Sequence, residues 1–159
     1  MYQHNRITDV KTLLAILESF VDDSKTTLSL LANSVALLKQ YYPETNWIGY
    51  YLAKGNTLHL GPFIGESACI EIAFGKGVCG SSANLLETII VNDTSEFADH
   101  IACDVNSQSE IVLPIIIDNI VYGVLDIDSP KKNTFTDYDK EILETFIEIL
   151  KKGIRKSLF

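Results

Sequence analysis

The chain has little positive charge. Thirteen Lys and Arg stand against 21 Asp and Glu, giving a formal net charge of −8 over 159 residues. Phosphate backbones are gripped by clustered Lys and Arg, so this shortage excludes a nucleic-acid surface. The one basic stretch, Lys151-Lys152-Gly-Ile-Arg155-Lys156, falls near the end of an expected helix, where cations complement the helix dipole. No apolar run is long enough for a transmembrane helix. Met1-Tyr-Gln-His-Asn-Arg6 lacks the apolar core of a secretory signal. These absences predict a cytoplasmic protein without a membrane partner. Cysteine is scarce, with only Cys69, Cys79 and Cys103. Structural disulfides are rare in a reducing compartment, and an odd number leaves at least one thiol free. Paired metal-ligand spacings are missing as well. His100-x-x-Cys103 with Asp126 and Asp128 supplies zinc-type donors, but a lone H-x-x-C is a weak pattern, so neither metal nor other cofactor is expected. Gly75-Lys-Gly77 matches no phosphate-loop pattern, and its glycines are read as turn formers.

The rest of the composition is that of a folded chain, 47% apolar and 21% charged, with the length of a single domain over 1–159. Apolar periodicity predicts a helix from about Thr8, its N-cap, to Val21, with Val10, Leu13, Leu14, Leu17 and Val21 on one stripe. A second helix is expected over about 25–41, stopped by Pro43, with Leu28, Leu31, Val35 and Leu38 inward. The period then changes. Strands are expected at 46–53, 58–60, 70–72, 89–91, 110–117 and 121–128, with a Gly-rich turn and short helix between Phe74 and Leu86. Asn92 to Gln108 reads as a long polar loop, of a kind that is often functional. A last helix starts at Thr136, capped by its hydroxyl, and carries Ile142, Leu143, Phe146, Ile147 and Leu150 inward. Hairpin-length connections make this an α+β fold, a largely antiparallel sheet of about six strands with helices packed against it. The helices at the two ends offer apolar faces that could also build a homodimer.

Two groups of residues could carry chemistry. Free cysteine is usually a buried small hydrophobe, and the apolar neighbours of Cys69 and Cys79 fit that role. Cys103 fits it less well, because Asp104, Asn106 and Ser107 place it in a loop that should see solvent. The acids Glu110, Asp126 and Asp128 lie within apolar strands, where a buried carboxylate needs a partner. Asp126 and Asp128 share a face because strand side chains alternate. They are either a strand end fraying into the Ser129-Pro130 turn or a site for a small cation. Register decides whether Glu110 joins them. A two-residue loop at Asp118-Asn119 pairs Glu110 with Ile127 and splits the acids between faces. A three-residue loop, or one bulge, brings all three together.

These residues resemble a known family. The element order and Gly123-Val-Leu-Asp-Ile-Asp128 look like a GAF domain, and more narrowly like the free methionine-R-sulfoxide reductases. The segments that carry the likeness are Trp47-Ile-Gly-Tyr-Tyr-Leu52, Leu60-Gly-Pro-Phe-Ile-Gly-Glu-Ser-Ala-Cys69, Gly75-Lys-Gly-Val-Cys-Gly80, His100-Ile-Ala-Cys-Asp104, Ser107-Gln-Ser-Glu-Ile-Val112 and Leu125-Asp-Ile-Asp-Ser-Pro130. All three cysteine positions of the family are filled. The resemblance implies reduction of free methionine-R-sulfoxide, with Cys103 as nucleophile, Cys69 as principal resolving cysteine and Cys79 as a second relay. It implies that Trp47 and Tyr51 wall the substrate pocket, and that Glu110, Asp126 and Asp128 bind substrate. It further implies a thioredoxin-type reductant. Gln108 departs from the pattern, standing where Arg is expected in many relatives. The rival readings are a GAF sensor that binds a small ligand without chemistry, and a zinc-stabilised interaction domain.

Overall fold

The computed structural model describes residues 6–99 and 105–156, the side chain of Lys156 excepted. His100, Cys103 and Asp104 therefore lie outside the described residues. Helix α1 spans Val10–Asp23. Its N-cap is Asp9 rather than the expected Thr8. The Asp9 carboxylate accepts the Thr12 backbone N–H at 2.8 Å and the Thr12 hydroxyl at 2.8 Å, satisfying a donor that the first turn leaves open. Helix α2, Thr27–Tyr41, is capped by the Thr26 hydroxyl, which accepts the Ser29 N–H at 3.1 Å. Leu31, Val35 and Leu38 are buried as expected, but Leu28 is 68% exposed. The buried face is shifted around the helix to include Leu30, Ser34 and Leu37, which leaves Leu28 at its rim in the first turn.

Six strands follow the two helices. They are β1 (Trp47–Lys54), β2 (Thr57–Ile64), β3 (Glu71–Ala73), β4 (Ile89–Val91), β5 (Ser109–Ile117) and β6 (Ile120–Ser129). All pair antiparallel in one sheet of order β3-β2-β1-β6-β5-β4. Helix α3 (Gly77–Leu85) lies between β3 and β4, entered through Gly75 at φ 82° and Gly77 at φ 59°. Among its described residues, the long 92–108 connection holds one 3-10 turn, at Thr94–Glu96. Helix α4 spans Asp137–Lys156. At its start the backbone N–H and hydroxyl of Thr136 both donate to Asp139, at 2.9 and 3.0 Å. The Asp139 carboxylate is thus the acceptor, and the Thr136 hydroxyl does not serve as the expected capping acceptor.

The sheet separates two apolar clusters, because successive side chains point to opposite faces. Ile48, Tyr50, Ile111, Leu113, Ile115, Leu125 and Ile127 face helices α1, α2 and α4, and meet Leu13, Leu17, Leu31, Leu38, Leu143, Phe146 and Leu150 there. This is the larger core, and it consumes the apolar stripes of both terminal helices. Trp47, Tyr51, Val112 and Val124 face the other way, toward Val78, Cys79 and Ala83 of α3. The second face is smaller, and Val112, which pairs with Asp126, lies on it.

Candidate active site

The β5–β6 hairpin settles the register through two local features. Its loop has two residues, Asp118 and Asn119, at φ 51° and 63°, the left-handed pair of a tight hairpin turn. Ile117 then pairs with Ile120 and Ile116 with Val121, but Ile115 pairs with Gly123. Tyr122 is the extra residue of a bulge, and every pair beyond it is shifted by one. Glu110 consequently faces Asp128, and Val112 faces Asp126. All three acids come to one face. Gly123 is required where the bulged strand meets β1, since a Cβ there would collide with the carbonyl oxygen of Tyr51.

Strand β1 completes the wall. Trp47 pairs with Asp128, Gly49 with Asp126 and Tyr51 with Val124, so Trp47 and Tyr51 share the acid face. Their rings stack at 5.9 Å between centroids and 22° between planes. Phe63 of β2 extends the stack, its ring 5.3 Å from that of Trp47 at 14°. The indole has room only because residue 49 is glycine: a Cβ would sit 2.6 Å from Trp47 Cη2 and collide with Phe63. Hydrogen bonds fix both polar tips. Trp47 Nε1 donates to the Glu66 carbonyl at 3.1 Å, and the Tyr51 hydroxyl donates to the Cys69 carbonyl at 3.0 Å. Tyr51 thereby ties the backbone at Cys69 to the acid face.

The acids are deeply buried, with Glu110 6%, Asp126 6% and Asp128 8% exposed. Helix α3 sets a sulfur beside them, Cys79 Sγ, which donates to Glu110 Oε1 at 3.9 Å. Donor atoms of Cys79, Glu110 and Asp126 all lie within 4.8 Å of one another. Asp126 shares a hydrogen bond with Glu110, yet its Oδ1 has no hydrogen-bond partner among the described residues. Asp128 is held differently. The Ser107 hydroxyl donates to Asp128 Oδ2 at 3.0 Å, and Asn46 Nδ2 donates to Ser107 Oγ at 3.1 Å. Neither Asn46 nor Ser107 stood out in the sequence. The signal available was a serine three residues before an acid expected on a strand, which is not specific.

Burial dominates the proton affinities here. It pushes Glu110 up to about 8, with the Asp128 charge adding to the effect. Asp126 is held well above the usual carboxylate range by burial and by Glu110. Burial and the three acids raise the Cys79 thiol well above its ordinary value, so it is protonated at neutral pH. Tyr51 is raised for the same reasons and remains a neutral phenol. Cys69 is disulfide-bonded in the structure, whereas Cys79 is a free thiol. Gln108 presents an exposed side chain, and its backbone N–H ties the loop to the Ser129 carbonyl at 2.8 Å.

These protonation states make stability depend on pH with a definite sign. Between pH 4.5 and about 8 an unfolded Glu110 is ionised while the folded one keeps its proton. The folded state then binds more protons, so its stability falls as pH rises through that window. Asp126 acts in the same direction. The thermal midpoint of the substrate-free protein is expected to fall between pH 5 and 8, and Glu110→Gln should flatten the slope. A midpoint that rises across this range in both proteins would refute the protonated cluster.

The GAF domain family profile matches residues 7–152. The chain is 45% identical over 125 residues to the free methionine-R-sulfoxide reductase of Escherichia coli, covering 79% of this chain and 76% of that one. To the free methionine-R-sulfoxide reductase of Saccharomyces cerevisiae it is 40% identical, covering 94% and 87%. Among solved structures, the free methionine-R-sulfoxide reductase of Neisseria meningitidis in complex with its substrate superposes with a TM-score of 0.91 at 35% identity, covering 98% of both chains. The similarity therefore extends through the strands and loops that build the acid face, and the chain belongs to the GAF domain family, in the company of free methionine-R-sulfoxide reductases.

Proposed function

We propose that this protein reduces free methionine-R-sulfoxide to methionine. The observation that carries the reading is the buried face that Glu110, Asp126 and Asp128 share with the stacked rings of Trp47 and Tyr51. Three buried acids converging on one face suit a small cation, and the α-ammonium of a free amino acid fits there. Aromatic faces beside it favour the same charge. Peptide-bound methionine sulfoxide has no ammonium and would lose these contacts, which accounts for selectivity toward the free form.

In this reading Cys103 is the nucleophile. Its thiolate attacks the sulfoxide sulfur, an acid of the cluster protonates the oxygen, and the S–O bond breaks. The oxygen takes a second proton and departs as water. A water then attacks the Cys103 sulfur and breaks its bond to the sulfonium sulfur, so that methionine leaves, a proton is returned and Cys103 becomes a sulfenic acid. The Cys69 thiol displaces that oxygen as water, forming a Cys69–Cys103 disulfide. The disulfide found at Cys69 supports this assignment, as does the Tyr51 hydrogen bond that holds Cys69 against the acid face. A thioredoxin-type dithiol then reduces the disulfide by exchange. Cys79, protonated at neutral pH, is a relay of second rank behind Cys69. Glu110 is the natural proton donor, since it carries a proton at pH 7 and loses it near 8.

A thioredoxin-coupled assay on free methionine-R-sulfoxide, its S epimer and an N-acetylated R form tests the proposal. Turnover is expected with the free R epimer alone. Equal rates on the N-acetylated form would overturn the ammonium site. Absence of turnover on every sulfoxide would leave a ligand-binding GAF sensor as the better account.

A further inference from the structure

The proposed reaction makes no demand on Cys79 in its first exchange, yet its sulfur is the atom that α3 aims at the acids. An ammonium needs only oxygen acceptors. A thiol set among them changes the chemistry of the site, because one sulfur and two carboxylates are a donor set for a thiophilic divalent cation. The spacing of these atoms is not far from that of the ligands of one ion. Zinc holds sulfur at about 2.3 Å and oxygen at about 2.1 Å, which spaces its ligands by roughly 3.5 Å. The donor atoms of Cys79, Glu110 and Asp126 already lie within 4.8 Å of one another, so a contraction of about an ångström closes the shell. Asp126 Oδ1 provides the independent sign of an absent ligand. It is buried, in a residue 6% exposed, and has no hydrogen-bond partner among the described residues.

We propose that Cys79 Sγ, Glu110 and Asp126 bind a divalent thiophilic cation such as Zn2+, which occupies the ammonium subsite and blocks the substrate. Three protein ligands leave a fourth position for water. The binding of metal stands on this geometry alone; its consequence for substrate rests on the function proposed above. Two features separate the site from adventitious thiol chemistry. It requires Cys79, a free thiol, and it requires oxygen donors from two different strands, β5 and β6.

Zn2+ titrated calorimetrically into a Cys69→Ser/Cys103→Ser double variant, in which Cys79 is the remaining thiol, tests the site. Co2+ serves as a spectroscopic probe, because a thiolate ligand gives it a sulfur-to-metal charge-transfer band. One equivalent of metal is expected to bind, with the charge-transfer band present. Adding Cys79→Ala should abolish the band and weaken binding by about 100-fold, and Glu110→Gln, which keeps the packing volume, should weaken binding by a similar factor. No saturable binding, or binding indifferent to both substitutions, would overturn the proposal. Free methionine should compete with Zn2+ in the double variant. Metal binding that methionine does not disturb would uphold the metal site and count against the ammonium subsite.

Discussion

Asp126→Asn is expected to raise KM for free methionine-R-sulfoxide by about 100-fold, and more at higher pH. Removing one partner of a buried charged pair costs about 2–5 kcal/mol, and each 1.4 kcal/mol is tenfold. Asp126 lies across from Gly49 on one strand and Val112 on the other, so no neighbouring side chain in those pairs can replace its charge. The folded protein should tolerate the change. Asp126 is held protonated without substrate, and an amide resembles that neutral form. A thermal midpoint near that of the parent, beside a large KM, would separate binding from folding. The wild-type KM should itself fall as pH rises from 6 to 8, because the cluster must release a proton before it can pair with an ammonium. The N-acetylated substrate provides the control. Its already weak binding, read as an inhibition constant against the free substrate, should barely respond to Asp126→Asn. An equal loss on both substrates would mean that Asp126 supports the pocket's shape and does not grip the ammonium.

Cys103→Ser should abolish turnover, by ~10³-fold or more, while leaving the affinity for substrate within a few-fold of the parent's. A hydroxyl neither attacks the sulfoxide sulfur at a useful rate nor forms the disulfide that completes the cycle. The ammonium contacts proposed here belong to β5 and β6, and the aromatic wall to β1, so binding should survive the loss of the Cys103 sulfur. Cys79 is a poor substitute. Burial and three acids keep its thiol protonated at neutral pH, and it is paired with Glu110. Cys79→Ser should accordingly retain most of the first-turnover rate, measured as methionine released per enzyme without reductant. Substantial release by Cys103→Ser that disappears when Cys79 is also replaced would transfer the nucleophile's role to Cys79.

Much of the fold was legible because its signals are local. The apolar stripes of α1 and α4, the break between strands at 46–53 and 58–60, and the short apolar strand at Ile89–Val91 follow from periodicity and turn chemistry. Errors fell at the ends of helices, where Asp9 outcompetes Thr8 as a cap, and at Leu28, whose exposure depends on how α2 is rotated against the sheet. The site was legible in its members and not in its assembly. Glu110 could belong to either face until the hairpin register was known, because a shift of one residue exchanges the faces. Gly123 was the available sign. A glycine inside an apolar strand marks a bulge or a close backbone approach, and here it marks both.

The residues alone determined which chemistry this chain can attempt. They supplied three thiols, three acids in apolar strands, an aromatic pair spaced to share a strand face, and too few cations for a phosphate surface. Those are properties of residue type and spacing, and they survive any packing. Convergence is a property of packing. The bulge at Tyr122 set Glu110 beside Asp128, the absence of a side chain at Gly49 let the Trp47 ring lie across that residue on the acid face, and α3 brought Cys79 to the acids from a distant part of the chain. Burial then raised the proton affinities of Glu110, Asp126 and Cys79, because a charge removed from water is stabilised only by what the fold places against it.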